Sequence, residues 1–251
     1  MKKNIRNYVN SSSLGVYSKY IKEIKGTKYL VKSGRGYDER ISTLEPVTEC
    51  ICYELSKLMN IPCAEYFLEV NNDEVLSLSK WFYDESKETF YSANRLMKIF
   101  NIKRENLFSY IMNEMPQCKN DINNMIVFDY IVNNTDRHMK NFGFLINGKN
   151  IRLAPLYDNG LCLGADLDDE YIENETIEDL LMDCDYSKCF ETSNRKQLNL
   201  INECTLNINI DYKSIILKYS KYFSHKRIEF ILKLLENRIG EVKECFFQNQ
   251  N

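Results

Sequence analysis

Histidine is scarce in this chain of 251 residues: only His138 and His225 occur, and none of the nine cysteines forms a Cys-x-x-Cys pair. So few nitrogen ligands, with an odd and scattered set of thiols, argue against a structural zinc site and a disulfide scaffold. Buried free thiols in a reducing cytoplasm are expected instead. No apolar run approaches the length of a membrane span. The basic start Met1 to Tyr8 is not followed by an apolar stretch, so it does not read as a secretory signal. An excess of one charge is also missing: 33 basic residues face 36 acidic ones, a net charge of −3. That balance argues against electrostatic capture of nucleic acid or an anionic membrane. There is no Gly-x-x-x-x-Gly-Lys-Ser/Thr segment, so a P-loop nucleotidase is not supported. Neither an internal repeat nor a low-complexity linker interrupts the chain. What remains is an ordinary soluble composition, 44% hydrophobic and 27% charged, with enough length to bury a real core.

Against this plain background one region is dense in chemistry. Asp136-Arg137-His138-Met139-Lys140-Asn141 places a carboxylate, an imidazole, an ammonium and an amide within six residues. A second carboxylate follows in Pro155-Leu156-Tyr157-Asp158. Phosphoryl transfer from Mg-ATP uses such a set: one carboxylate orients the attacking hydroxyl, and an amide and a second carboxylate hold the metal. Mg²⁺ keeps several waters, so two protein oxygens suffice. The plainer reading is a polar loop of turn residues.

The intervening residues favour the chemical reading. Phe142 to Ile146 is strand-like, Asn147-Gly148 is a two-residue hairpin signal, and Asn150 to Ala154 returns as a second strand. A hairpin brings Asn141 and Asp158 side by side. Upstream, Ile122, Met125, Ile126, Phe128, Asp129, Ile131 and Val132 predict an amphipathic helix over 122–134.

The order Asp-x-His-x-x-Asn differs from the His-Arg-Asp order of ordinary protein kinases. It resembles phosphatidylinositol kinases and, more closely, the HipA-like serine/threonine kinases of bacteria, whose Asp-x-His-x-Lys-Asn and Pro-x-Tyr-Asp segments match residues 136–141 and 155–158. The resemblance implies a two-lobed α+β kinase-like fold. The strand-rich N-lobe would span residues 1–83, and the mainly helical C-lobe with its catalytic β-hairpin would span 84–251. It implies that Asp136 is the catalytic carboxylate, with His138 and Lys140 near the transferring phosphate. Asn141 and Asp158 would be ligands of Mg²⁺ or Mn²⁺. Asn159 replaces the Phe that follows the metal Asp in ordinary kinases, so their in/out switch has no evident equivalent.

By the same resemblance the first third supplies the ATP clamp. Tyr29 to Lys32 reads as a strand, with Lys32 as the phosphate-holding ammonium. A helix from Pro46 to Met59, its buried face marked by Ile51, Leu55, Leu58 and Met59, offers Glu49 as the partner of Lys32; Glu54 competes for that place. Ser12-x-x-Gly15-x-x-x-Lys19 matches the family's phosphate loop. Its serine can be autophosphorylated in that family, which ejects the loop and silences the kinase; Ser11 and Ser13 are neighbouring candidates here. The alternating strand from Glu74 runs into Trp81-Phe82, and the backbone of Ser79, Lys80 and Trp81 is the expected adenine contact.

Beyond Asp158 the acidic stretch 166–185 reads chiefly as a solvated loop and helix face. Helices are predicted over 195–203 and 211–223, and from His225 to about Phe247 with Ser224 as N-cap. Full-length HipA proteins carry a further N-terminal subdomain, so this chain resembles the short, stand-alone HipA-like kinases. Antitoxin and DNA contacts resting on that subdomain are not carried over. The expected activity is ATP- and Mg-dependent Ser/Thr protein phosphorylation, with self-phosphorylation and a toxin or effector role. The partners are an unidentified protein substrate and, where a regulator exists, one of antitoxin type, in the cytoplasm or after export. A lipid or small-molecule kinase and a non-catalytic kinase-fold module are the alternatives.

Overall fold

The computed structural model describes residues 19–34, 44–71 and 74–247. It is a two-lobed, protein-kinase-like α+β fold, with an antiparallel sheet set over a mainly helical part. Strands β1 (Lys19–Ile24), β2 (Thr27–Ser33), β3 (Tyr66–Asn71) and β4 (Glu74–Lys80) form one sheet in the order β1-β2-β4-β3. Helix α1 (Leu44–Leu58) enters between β2 and β3 and packs on the sheet. Strand β4 lies between two neighbours and is buried from Val75 to Ser79 on both faces. It is therefore a central strand, not the half-exposed alternating strand expected. In α1, Val47, Ile51, Cys52 and Leu55 enter the main core, joined by Met59 just past the helix end. Leu58, expected on the buried face, is 40% exposed; its carbonyl accepts from Asn207 Nδ2 at 3.0 Å, at the helix end.

A second, three-stranded sheet joins β5 (Thr89–Ser92) to the hairpin β6 (Gly143–Asn147) and β7 (Asn150–Leu153). Asn147 pairs with Asn150, so Gly148 and Lys149 form the turn, one residue later than the Asn-Gly signal implied. Gly148 has φ +59° and is the first turn residue, the position where a II′ hairpin requires glycine. Between β5 and β6 run α2 (Ala93–Ile99), α3 (Leu107–Glu114) and α4 (Lys119–Ile131). Every residue of α4 from Ile122 to Ile131 is buried. The expected amphipathic helix is thus buried on every side from Ile122 onward. Asn124 exchanges hydrogen bonds with Thr205 and Asn123 Nδ2 donates to the Glu203 carbonyl, while Asn123 Oδ1 has no hydrogen-bond partner among the described residues.

The remaining helices are α5 (Asp169–Asn174), α6 (Ile177–Met182), α7 (Asn194–Leu198), α8 (Tyr212–Lys218) and α9 (His225–Phe247). The helix expected over 195–203 stops at Leu198, where the backbone tightens into turns from Leu200 to Gln197 and from Ile201 to Leu198. Ser224 caps α9 by accepting from the Arg227 N–H at 3.2 Å. The acidic stretch forms α5 and α6, and Asp169 is paired to the buried Arg227 at 2.7 Å. All nine cysteines are free; Cys245 is exposed, against the expectation of burial. Among the described residues no helix is long and apolar enough to cross a membrane.

Candidate active site

The site begins where α4 stops. Asn133 takes φ +50°, the Asn134 N–H bonds the Asp129 carbonyl at 2.8 Å, and the Asn133 N–H bonds that of Tyr130 at 3.3 Å. This is a Schellman stop, with asparagine in the left-handed position that glycine usually takes. The side chain of Asn134 then accepts from the Asp136 N–H at 2.9 Å. Two tight turns, from His138 to Asp136 and from Asn141 to His138, fold the next six residues onto themselves. They bring Asn141 Nδ2 to the Asp136 carbonyl at 2.9 Å and to its Oδ2 at 3.3 Å. Because the amide nitrogen faces Asp136, Asn141 Oδ1 is left as the oxygen a hard cation would take.

Arg137 holds this loop to the next one. Its guanidinium is buried and makes a two-pronged pair with Asp129 at 2.8 and 2.9 Å. Its Nη1 donates to the carbonyls of both Asn141 (2.8 Å) and Tyr157 (2.7 Å), and its Nη2 to Asn159 Oδ1 at 2.5 Å. One side chain therefore ties Asn141 to the residues on either side of Asp158. Asn159, which stands where ordinary kinases have Phe, is fully buried in this network. From the sheet side, Leu156 pairs with the Pro62–Ala64 segment through bonds of 2.8 Å, and the Asp158 N–H donates to the Tyr66 hydroxyl at 2.9 Å. Asp158 itself has φ +58°, a left-handed conformation that Asp tolerates better than most residues.

Lys32 meets Asp158 from above. Its Nζ lies 2.7 Å from Glu49 Oε1 and is also hydrogen-bonded to Asp158 Oδ1. Cross-strand register explains the aim: Lys32 sits opposite Ser77 on one face of the sheet, and Ser77 Oγ donates to the second oxygen of Glu49. Glu54, the competing carboxylate, is paired instead with Lys218 at 2.6 Å and Tyr219 at 2.6 Å. Burial opposes the charge on Lys32, but Asp158 and then Glu49 outweigh it and hold its pKa well above the ordinary lysine value. Burial likewise opposes ionisation of Asp158, yet Lys32 and then Lys19 draw its pKa down to about 2. Lys19 lies directly opposite Lys32 in the β1–β2 register. With Glu49 also on Lys32, two cations and two carboxylates meet at this point.

Other expected site residues sit less centrally. His138 Nε2 is 4.0 Å from Asp136 Oδ2 and half-exposed. The side chain of Lys140 is exposed; its carbonyl accepts from the Tyr157 hydroxyl at 2.7 Å. On β4 the Lys80 N–H donates to the Glu65 carbonyl and the Trp81 N–H to that of Lys28, each at 2.9 Å. These two donors are therefore engaged within the sheet. Ser79 is paired with Leu30 on one side and Tyr66 on the other. The Lys80 side chain reaches Glu65 at 3.0 Å, and Trp81 opens an aromatic cluster with Tyr83, Phe82, Phe90 and Tyr157. Ser11, Ser12, Ser13 and Gly15 lie outside the described residues. Among the described residues no group of three or more His, Cys, Asp and Glu side chains could hold a metal by itself. The pair Asn141 and Asp158 fits a cation completed by phosphate and water oxygens, the usual habit of Mg²⁺.

Three residues at the site were not singled out from sequence. Arg137 occupies a variable place in the motif, and its role was signalled only by Asp129 within the apolar run from Met125 to Val132. Tyr66 lies in an apolar run. Lys188, whose ammonium is 2.6 Å from Asp136 Oδ1, is 52 residues downstream, with no motif to mark it.

A buried sheet lysine paired to a helix glutamate, over a hairpin flanked by Asp136, Asn141 and Asp158, defines a protein of the kinase-fold class. The profile of the HipA-like C-terminal domain matches residues 7–188, and the chain belongs to that family, which supports a kinase-type function. The fold is similar to a Helicobacter pylori proinflammatory kinase, CtkA, with TM-score 0.69, 17% identity and coverage of 96% of this chain and 93% of that one. It is also similar to Shewanella oneidensis HipA, from a toxin–antitoxin complex with HipB and operator DNA: TM-score 0.52, 13% identity, 97% of this chain and 66% of that one. At these identities the likeness is one of fold. A search of curated proteins finds no match.

Proposed function

We propose that this chain is an ATP- and Mg²⁺-dependent serine/threonine protein kinase of HipA type. The observation that carries the reading is the position of Lys32, held at once by Glu49 and Asp158. In this reading Lys32 and Lys19 hold the phosphates of ATP, and Asp158 and Asn141 hold the metal. A bound Mg²⁺ would neutralise phosphate charge there. Asp136 accepts a hydrogen bond from the acceptor hydroxyl and takes its proton as the oxygen attacks. Arg137 keeps the two loops in register. With Lys80 and Trp81 donating inside the sheet, we place the adenine edge along the backbone that follows, Trp81 to Tyr83. The lobes divide after Tyr83, giving 1–83 and 84–251.

We extend the reading to self-phosphorylation at Ser12, where a phosphate of about −1.5 to −2 charges would repel ATP phosphates near Lys19. The likeness to HipA of a toxin–antitoxin pair supports a toxin-type role acting on a protein hydroxyl. Calorimetric titration tests the core of the proposal: ATP binds well with Mg²⁺ or Mn²⁺ and poorly with chelator present. Mass spectrometry after incubation with Mg-ATP then shows phosphate on the Ser11–Ser13 segment in the natural chain and none in Asp136→Ala. Equal ATP affinity with and without metal would remove the roles of Asn141 and Asp158.

A further inference from the structure

The carboxylate of Asp136 is met by an ammonium from a distant segment: Lys188 Nζ lies 2.6 Å from Asp136 Oδ1. An ion pair between half-exposed side chains is by itself weak evidence, because long side chains swing and water screens them. Here the backbone that delivers the ammonium is fixed on both sides. Arg104 Nη2 donates to the Lys188 carbonyl at 2.6 Å and to the Cys189 carbonyl at 3.0 Å. Cys189 is buried. The Phe190 N–H donates to Gln197 Oε1 at 2.7 Å, and its ring packs edge-on against Phe142, the neighbour of Asn141, with centroids 5.8 Å apart. On the other side the Ser187 N–H bonds the Thr192 carbonyl at 3.0 Å. The loop is anchored in the core, and Lys188 is the side chain it presents to Asp136.

Building on the phosphotransferase reading, we propose that Lys188 is a catalytic residue, whose ammonium hydrogen-bonds the transferring phosphoryl group. Asn141 Nδ2 approaches one oxygen of Asp136 and Lys188 the other. Each carboxylate oxygen can accept two hydrogen bonds, so Oδ1 has room for the acceptor hydroxyl beside Lys188. The hydroxyl and the ammonium are then neighbours on one atom. The oxygens of the phosphoryl group that the hydroxyl attacks then come within reach of the two remaining Lys188 protons. In the step, the acceptor oxygen bonds to the γ-phosphorus while the bond from that phosphorus to the β,γ-bridging oxygen breaks. The electron pair of the broken bond leaves with ADP, and the hydroxyl proton passes to Asp136. Charge spreads over the equatorial phosphoryl oxygens, where a positioned donor acts most strongly. The resemblance assigned this neighbourhood to His138 and Lys140; the anchored loop brings in Lys188 as well.

The test uses the full chain as wild type, Lys188→Met, Lys188→Arg and Asp136→Ala. Mg-ATP hydrolysis and self-phosphorylation are measured, with the melting temperature as a control for folding. Binding of Mg-ADP is measured with and without aluminium fluoride, which mimics the transferring group. Lys188→Met is expected to melt like wild type and bind Mg-ADP normally. It should lose roughly a hundredfold or more in kcat with little change in KM for ATP, the scale for one positioned transition-state donor. It should also lose the extra affinity that aluminium fluoride confers, and Lys188→Arg should recover part of both. A kcat for Lys188→Met near that of wild type, with Asp136→Ala inactive, overturns the role of Lys188 and leaves the kinase reading standing. A faster Lys188→Met also overturns it, since the ammonium would then be blocking the acceptor's place. If wild type transfers no phosphate from Mg-ATP to water or to itself, the phosphotransferase reading fails and the role of Lys188 falls with it.

Discussion

Arg137 does more for the site than its variable place in the motif suggests. It is buried, its guanidinium is neutralised by Asp129, and its remaining donors reach three residues in the two loops of the site. Buried pairs are costly to assemble, and removing one partner leaves the other charged and unsolvated. Arg137→Met is therefore expected to destabilise the protein by about 3–5 kcal/mol, measured by chemical denaturation, and to weaken metal-dependent nucleotide binding in the protein that remains folded. A loss below about 1 kcal/mol would show that Asp129 finds another partner. Asp158 gives a pH signature. Its pKa falls to about 2 in the folded chain, below the ordinary value of about 3.9. A depressed carboxylate contributes stability that is present above its unfolded pKa and lost as pH falls through the folded one. Stability should therefore decline more steeply between about pH 4 and pH 2 in wild type than in Asp158→Asn. Identical slopes in acid denaturation would remove the Lys32–Asp158 pair from the account. The acidic and polar members of the site were legible in sequence because their types and spacing carry the chemistry. Arg137, Tyr66 and Lys188 were not, because their roles come from burial and from contacts between distant segments.

At the scale of elements, local signals located the pieces better than their surroundings. The apolar spacing over 122–134 marked a helix, but periodicity cannot report that polar residues such as Asn123, Asn124 and Asp129 are buried with internal partners. The Asn147-Gly148 pair announced a hairpin, yet the paired asparagines at 147 and 150 moved the turn by one residue. Helix was expected over 195–203; Leu198 and Ile201 are both buried, but Leu198 ends α7 and Ile201 is buried from a tight turn beyond it. Strand β5 was missed because its four residues gain a partner only when β6 arrives. That pairing rests on Gly143. A Cβ there would meet the Tyr91 carbonyl and lie 2.7 Å from Phe90 Cε2. Backbone cannot yield as a flexible side chain can, so Gly143→Ala should push β5 off the hairpin. Overpacking of this kind costs about 1–3 kcal/mol, and unfolding curves should show it. Since Gly143 lies two residues from Asn141, nucleotide affinity should fall as well. A stable variant with normal affinity would mean that β5 does not help hold the catalytic loop.

At the scale of the molecule, the candidate site draws on elements far apart in the chain. Lys19 and Lys32 come from the sheet, Glu49 from α1, Asp136 and Asn141 from the loop after α4, Asp158 from the segment after the hairpin, and Lys188 from the loop before α7. The two sides already touch: the Asn207 N–H donates to the Met59 carbonyl at 3.1 Å, and Lys218 pairs with Glu54 at 2.6 Å. Much of α1 belongs to the same core as α4 and α9. Nucleotide and metal bound between Lys32 and Asp158 would add a tie between the sheet and the catalytic loops. Binding to the folded chain alone stabilises it by about 2.7 kcal/mol at a hundred times Kd, which for a domain of this size corresponds to a melting shift of several degrees. Thermal unfolding with saturating Mg-ADP should show that rise in wild type and lose it in Lys32→Met. The same variant should melt differently even without ligand, because Glu49 and Asp158 then face each other without the ammonium between them. Like charges left in a buried site destabilise it, so Lys32→Met is expected to melt lower than wild type in buffer alone. A variant that loses the nucleotide shift but melts as wild type would place Lys32 at the nucleotide only. One that keeps the shift would mean that nucleotide binds elsewhere.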